Sequence, residues 1–371
     1  LPHPKIPKEV ETIKLLVDGR EFSAGKQTGI ARFLENLLFC VISSRPDIKI
    51  LLACGGNAVL PPRLINRENI FEVNLNGGYL KSERILSKMS AQGSNLFISP
   101  YPKLPLFGTY CPAINTVHDV LYITLPLYQN FLRRHFDLFR LKTAIHQADL
   151  TWFHSNASLE ETRNLVERIG RRSCVRYPGI ADMFHHDNAT LDDDPLKQYD
   201  LQPGYILCLG NGLPHKNLGV LLKLKDILDC RLVFVGVSAE NQKYWLRSHK
   251  TDGVGWIDHV PDNHLPVLIK NAFCTAQPSL AEGFGYPPLE AMACGVPSVV
   301  SDIPVLAETT GGCSLRADPH EPAAWFQAFK ALENADTRKS LVTKGLQWVA
   351  PMQGPTGWNK HIVDIAQIVD L

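Results

Sequence analysis

Apolar residues fall in short runs separated by polar loops and longer amphipathic stretches. Residues 13–17 are such a run, closing on Asp18-Gly19; a loop with Gly25 and Gly29 follows, then Ile30, Phe33, Leu34, Leu37 and Leu38 recur at helical spacing. This reads as strand, loop and helix. Further runs at 48–53, 96–98, 114–117 and 150–153 are separated by segments long enough for crossover helices, which predicts a parallel sheet wrapped by helices. From 182 to 203 the rhythm breaks into a polar stretch with His185, His186, Asn188 and Asp192-Asp193-Asp194-Pro195, read as a linker. It restarts at 205–209, 232–235, 272–276 and 299–300, predicting a second Rossmann-like domain. In the last segment, 357–371, Ile362, Ile365, Ile368 and Val369 have helical spacing, and this helix is expected to pack back across the first domain. The expected division is 1–187, 188–355 and a terminal helix in 356–371.

Length and composition agree with two domains. A chain of 371 residues exceeds what one core usually supports, and 45% hydrophobic with 20% charged residues excludes disorder as the main state. Residues 1–8 carry three prolines and no apolar stretch of signal-peptide type, and no apolar run reaches about 18 residues. The expectation is a cytoplasmic protein, soluble or peripheral at the inner face of the membrane. Nine cysteines are scattered singly from Cys40 to Cys313 without a CxxC pair, which argues against a disulfide framework and a zinc site. The net charge of +1 is uneven: 23 Lys+Arg against 17 Asp+Glu in residues 1–187, and 15 against 20 in the remainder. The first half is therefore the side expected to meet an anionic acceptor or membrane, unless the asymmetry is only chance spread of surface charge. The stretch 128–145 interleaves Phe131, Leu132, Phe136, Phe139 and Leu141 with Arg133, Arg134, Arg140 and Lys142. It fits a peripheral membrane patch or an ordinary helix packed on the sheet with arginines in solvent.

In doubly wound sheets ligands bind beyond the carboxyl ends of strands, so the strand-to-helix loops are informative. Gly210-Asn211-Gly212-Leu213-Pro214-His215-Lys216-Asn217 follows a predicted strand and precedes Leu218, Leu221, Leu222, Leu224, Ile227 and Leu228 at helical spacing. Asn217 is the expected N-cap, with Lys216 at the helix N-terminus. A helix end contributes only about 0.3 to 1 kcal/mol toward an anion, so a pyrophosphate there needs a cation, and Lys216 supplies one unless it is a solvated surface lysine. A second loop, Pro278 to Glu282-Gly283-Phe284-Gly285-Tyr286-Pro287-Pro288-Leu289-Glu290, runs into a helix that Gly295 can end. Glu282 and Glu290 can accept from different hydroxyls of one elongated ligand, or be unrelated structural glutamates.

The stretch from Glu282 to Pro297 closely resembles the E-x7-E signature of family 4 glycosyltransferases, which are retaining, metal-independent enzymes of the two-domain GT-B fold. Gly29-Ile-Ala-Arg32-Phe33 resembles that family's first glycine loop, Thr116-Val-His118-Asp119 its His-Asp motif and Gly210 to Asn217 its lysine loop. The segments 265–278 and 301–308 resemble those flanking the signature, so matches run from about residue 13 to 320. The resemblance implies that Glu282 holds the transferred sugar, Glu290 the ribose and Lys216 the diphosphate. It places Gly29 against the same phosphates, His118 near the sugar on the acceptor side, and the loop from Trp256 to Val260 against the base. Asn211, His215, Gly283, Phe284, Gly285, Tyr286, Pro287 and Leu289 complete the implied donor site. Two departures stand out: an arginine common in relatives at Asn211 or His215 is missing, and Asp258 stands where glycine is frequent.

The expected activity is transfer of a hexose, mannose first, from GDP-mannose or a UDP-sugar to a glycan or lipid-linked hydroxyl. Configuration would be retained, without metal, cofactor or nucleic-acid partner. A sugar-nucleotide epimerase on the same fold and a non-catalytic nucleotide-sugar-binding protein are the rival readings. A dehydrogenase is disfavoured because no strand leads into a clean GxGxxG with an acidic residue about 20 positions on. Asp192-Asp193-Asp194, Pro-flanked, reads as a solvated turn rather than a metal motif, and neither Asp119/His118 nor Asp258/His259 reads as an acid/base dyad.

Overall fold

The computed structural model describes residues 12–24, 28–125, 131–167, 169, 172–187 and 195–370. In the first half, strands β1 (Lys14–Asp18), β2 (Lys49–Cys54), β3 (Ile70–Asn74), β4 (Leu96–Ser99), β5 (Ala113–Val117), β6 (Leu150–Phe153) and β7 (Ser173–Val175) alternate with helices. These are α1 (Gly29–Ser44), α2 (Tyr79–Ser90), α3 (Leu121–Thr124), α4 (Phe131–Gln147) and α5 (Asn156–Leu165). The strands form a seven-stranded parallel sheet in the order β3-β2-β1-β4-β5-β6-β7. Leu15, Leu16 and Val17 of β1 and all of β4 and β5 are buried, as a sheet covered on both faces requires.

After the short α6 (Pro195–Gln198), the second half builds a six-stranded parallel sheet from β8 (Tyr205–Leu209), β9 (Leu232–Val235), β10 (Gly255–Ile257), β11 (Ala272–Gln277), β12 (Ser298–Ser301) and β13 (Leu315–Ala317). Their order is β10-β9-β8-β11-β12-β13. Its helices are α7 (Leu218–Leu222), α8 (Ala239–Leu246), α9 (Leu265–Lys270), α10 (Tyr286–Ala293), α11 (Pro304–Thr309), α12 (Pro322–Ala331) and α13 (Ala335–Val349). The winding direction reverses between β1 and β4 in one sheet and between β8 and β11 in the other, which opens a crevice at each pair of carboxyl ends. The architecture is α/β with two Rossmann-like domains facing each other, the GT-B fold.

The chain then returns. α14 (Asn359–Val369) packs beside α1, and Trp358 and Ile365 are buried in the core of the first domain. The Asp364 carboxylate accepts from Trp152 Nε1 at 2.8 Å and from Arg176 Nε and Nη2 at 2.7 and 2.8 Å. The two crossings between domains are tied together where Ile180 N donates to Met352 O at 2.7 Å and Gly354 N to Ile180 O at 3.1 Å.

Several local expectations need correction. The helix after Lys216 ends at Leu222, and the next residues, including Leu224, are turns. Asn217 has a left-handed backbone and caps nothing with its side chain. Its Nδ2 donates instead to the carbonyls of Pro278 (3.0 Å) and Pro319 (2.7 Å), pinning one loop to another. Trp256 lies in edge strand β10 rather than in a loop. Arg140 is no surface cation: it is buried, with Nη2 3.3 Å from Glu83 and Nη1 2.5 Å from the Tyr79 hydroxyl. Glu83 in turn pairs with Arg20, which grips Asp18 through Nε at 2.8 Å. All nine cysteines are free thiols, six of them buried. Gly25, Tyr128, Asn188 and Asp192-Asp193-Asp194 lie outside the described residues.

Candidate active site

The loops after β8 and β11 meet at the switch crevice of the second sheet. Lys216 ends a 3₁₀ turn, Pro214–Lys216, ahead of α7. Its Nζ donates to Glu282 Oε1 at 2.7 Å. Ser279 Oγ donates to the same oxygen at 2.6 Å and Gln277 Nε2 also binds it. Burial opposes charge on Glu282, but the Lys216 ammonium and these donors outweigh it and hold the carboxyl below its ordinary value. Leu280 N donates to His215 O at 2.8 Å, so the lysine loop and the glutamate loop are joined. His215 is pushed down to about 4 by burial and by Lys216. It is therefore neutral near pH 7 and does not replace the missing arginine's charge. Asn211 is exposed, its Oδ1 accepting from Leu213 N at 3.2 Å.

Helix α10 starts at Tyr286, with Pro287 and Pro288 in positions whose N–H groups would have no helical partner. It stops at a Schellman turn, Val296 N to Ala291 O at 2.9 Å and Gly295 N to Met292 O at 3.0 Å. Gly285 precedes it at φ +86, a conformation that costs any side chain, and a Cβ there would meet Leu306 Cδ2 at 2.5 Å. Glu290, 2% exposed, points from α10 and accepts from Arg32 Nη1 of the first domain at 2.8 Å. Burial pushes its carboxyl up, and Arg32 works against that. The side chains of Val260, Phe284 and Leu289 are buried in the core, which leaves only their backbone for contact with a ligand.

The first domain brings three loop ends to the same crevice. Gly29 is the first residue of α1, behind an N-cap in which Thr28 Oγ1 accepts from Ala31 N at 3.1 Å, and the space over its Cα is open. His118 follows β5, and its Nε2 bonds Pro100 O at 2.9 Å at the end of β4. With Nε2 donating to that carbonyl, Nδ1 is left as an acceptor. Burial drops the His118 ring to about 4, so it is neutral. Asp119 accepts from Leu121 N at 3.0 Å, and no dyad forms. Behind His118 lies the buried His154, ring centroids 4.2 Å apart.

Gly283 joins the halves. A Cβ on it would stand 2.7 Å from His118 O and 2.9 Å from Asp119 Oδ2, so only glycine lets the glutamate loop touch the His-Asp loop. Its carbonyl accepts from Ser155 Oγ at 3.0 Å and Ser158 Oγ at 3.1 Å. Glu308 of α11 crosses the same way, taking Asn156 N at 2.7 Å and Ala157 N at 2.9 Å at the α5 N-terminus. Nothing in the sequence alone assigns a role to Gln277, Ser279, Ser155, Ser158 or Glu308. Ser155-Asn-Ala-Ser158 is legible there as a helix start, but nothing local reports its partner across the cleft.

Among the described residues, the group able to hold a cation is His185, His186 and Asp187, consecutive at the domain crossing, where His185 Nδ1 already accepts the Asp187 amide at 3.2 Å. No helix of the described residues is long and apolar enough to cross a membrane.

Residues 195–348 match the model of the family described as Glycosyl transferases group 1. Over 246 residues the chain is 29% identical to O-antigen chain mannosyltransferase B of Escherichia coli, covering 63% of this chain and 65% of that protein. Over 224 residues it is 33% identical to O-antigen chain mannosyltransferase RfbU of Salmonella typhimurium, covering 59% and 60%. The matches thus span a little under two thirds of these relatives' length. Among solved structures, sucrose-phosphate synthase from Thermosynechococcus elongatus aligns with TM-score 0.77 at 17% identity, over 97% of this chain and 98% of that one. Anabaena HepE in complex with UDP and glucose aligns at 0.74 and 15%, over 96% and 99%. Both likenesses are of fold.

Proposed function

We propose, on the premise that residues 195–348 form a group 1 glycosyl transferase domain, that this chain is a retaining hexosyltransferase. It moves mannose from a nucleoside-diphosphate sugar, GDP-mannose before UDP-sugars, to a hydroxyl of a polysaccharide-precursor glycan, lipid-linked in the simplest case. The observation that carries this reading is the convergence of Lys216, Glu282 and His118 where Gly283 joins the two crevices. The mannosyltransferase names of the curated relatives support the sugar and the acceptor class, and the UDP complex of HepE supports a nucleotide in this fold.

On donor binding, Lys216 turns from Glu282 to the diphosphate, where negative charge develops as the glycosidic bond breaks. Gln277 and Ser279 keep Glu282 in place to accept from hydroxyls of the sugar. The neutral His118 orients sugar or acceptor through Nδ1, and the leaving phosphate oxygen takes the acceptor proton on the same face. No residue of this set is a cage for a metal. Activity on GDP-mannose therefore persists in EDTA; loss on chelation, restored by manganese or magnesium, would refute the metal-independent route. A screen of nucleotide-sugar donors for hydrolysis and thermal stabilisation is the first test, and a screen with no response to any donor removes the reading.

The first domain also offers a membrane-facing surface. Phe131 (72% exposed), Leu132 (79%), Phe136 and Phe139 project from α4 beside Arg133 and Arg134. The aromatic side chains enter the headgroup region while the arginines meet anionic lipid, which holds the protein at the bilayer carrying the acceptor.

A further inference from the structure

Arg32 stands in the first turn of α1, in the domain opposite the nucleotide site. Its guanidinium crosses the cleft as a fork, Nη1 to Glu290 Oε1 at 2.8 Å and Nη2 to Asp262 Oδ1 at 3.1 Å. The base of the fork is fixed by the α1 N-cap and by the Phe184 ring, 6.0 Å from the guanidinium carbon. Only one oxygen of Glu290 is engaged this way. Next to it, the buried hydroxyl of Tyr286 takes no hydrogen bond among the described residues. A carboxylate with one oxygen aimed by a fixed cation, beside an unused phenol, suits a vicinal diol, which donates to the carboxylate and accepts from the phenol.

We infer that Arg32 is a positioning residue for the donor's ribose, acting through Glu290, so that the first domain helps build the nucleotide site of the second. The inference rests on the proposed donor site and adds to it a residue and a mechanism. Charged hydrogen bonds are about twice as strong as neutral ones, so the diol binds well only to ionised Glu290. Burial works against that charge, and Arg32 is the group that sustains it. The other titratable groups around Glu290 are Asp262, which disfavours its charge, Tyr286 on α10, Cys294 just after α10, and Glu35, which faces Arg32 and Asp262 from α1. None of them supplies a positive charge to Glu290.

The test is calorimetric titration with GDP, and UDP in parallel, between pH 6 and 8.5, on wild type, Arg32→Ala, Arg32→Lys and Arg32→Ala/Glu290→Gln, with melting temperatures. Wild-type affinity is expected to follow only the second ionisation of the nucleotide's own terminal phosphate, at about pH 6, which every variant shares. Without Arg32 the Glu290 carboxyl stays protonated to higher pH, so affinity falls about tenfold or more at pH 6 and recovers as pH rises. Arg32→Lys restores the wild-type profile, with weaker binding because the fork is lost. In the double variant no carboxyl titrates at 290 and the slope returns to that of wild type. If removing a buried charge's partner unfolds Arg32→Ala, Arg32→Gln, which keeps a hydrogen-bond donor to Glu290 but no charge, carries the same slope test. An Arg32→Ala affinity that is unchanged, or lowered equally at every pH, overturns the inference. Wild type binding neither GDP nor UDP overturns the donor site itself.

Discussion

At the scale of single residues, the proposed mechanism divides the work of transfer between Lys216 and Glu282, which form an ion pair. If Lys216 is the cation proposed to face the leaving diphosphate, Lys216→Ala is expected to lower turnover by roughly 10²-fold or more, as for other preorganised transition-state donors. Glu282→Gln keeps the shape but weakens the acceptor for the sugar, so turnover drops while affinity for free nucleoside diphosphate stays nearly intact. Near-wild-type transfer by either folded variant would place the chemistry elsewhere. The histidines make a separate prediction. His118 is held to about 4 and His361 to about 3, both by burial, while the unfolded chain protonates near 6.5. A lowered folded value means the unfolded state binds more protons, so stability is present above about pH 6.5 and is lost as pH falls from there toward the folded values. The slope approaches about 1.4 kcal/mol per pH unit for each such histidine. Melting temperature should decline from pH 7 to 4.5, and His361→Leu should flatten that decline; an unaltered profile would contradict the assignment.

At the scale of elements, the contact between the α10 loop and the His-Asp loop depends on the missing side chain of Gly283. Gly283→Ala puts a methyl group against His118 O and Asp119, and the backbone on each side has nowhere to go. Turnover is expected to fall at least about tenfold with nucleotide affinity changed much less, because the donor loop keeps its own scaffold. Equal kinetics for Gly283→Ala would mean that the loops do not stay in contact during the reaction. The same pair of loops marks how far sequence reading reached. The strands that were legible, such as Tyr205–Leu209 and Leu232–Val235, are buried on both faces and appear as unbroken apolar runs. The less legible ones, β3, β7, β10 and β13, are short or half-exposed, and all four lie at sheet edges, where the apolar signal thins. Likewise Glu282, Glu290 and Lys216 stand in motifs, whereas the partners of Gly283 and Glu290 come from residues more than 100 positions away. No local pattern encodes such a pairing.

At the scale of the whole molecule, the exposed aromatics of α4 lie on the half of the chain that carries the positive excess. Vesicles containing anionic lipid should co-sediment wild type and lose an Arg133→Glu, Arg134→Glu variant or a Phe131→Ser, Leu132→Ser variant, with transfer to a soluble acceptor unaffected. Equal sedimentation of all three would leave α4 without a membrane role. The return of the chain to its first domain has a different kind of consequence, one of timing. The pocket filled by Trp358 and Ile365 belongs to a domain whose other residues are synthesised long before them. Until that last helix leaves the ribosome, Phe33 and Trp152 face an open groove, and the carboxylate that Arg176 and the Trp152 indole require does not yet exist. The first domain is therefore completed only after the second has been made, and a nascent chain stalled anywhere in the second domain presents an incomplete apolar core to chaperones and proteases.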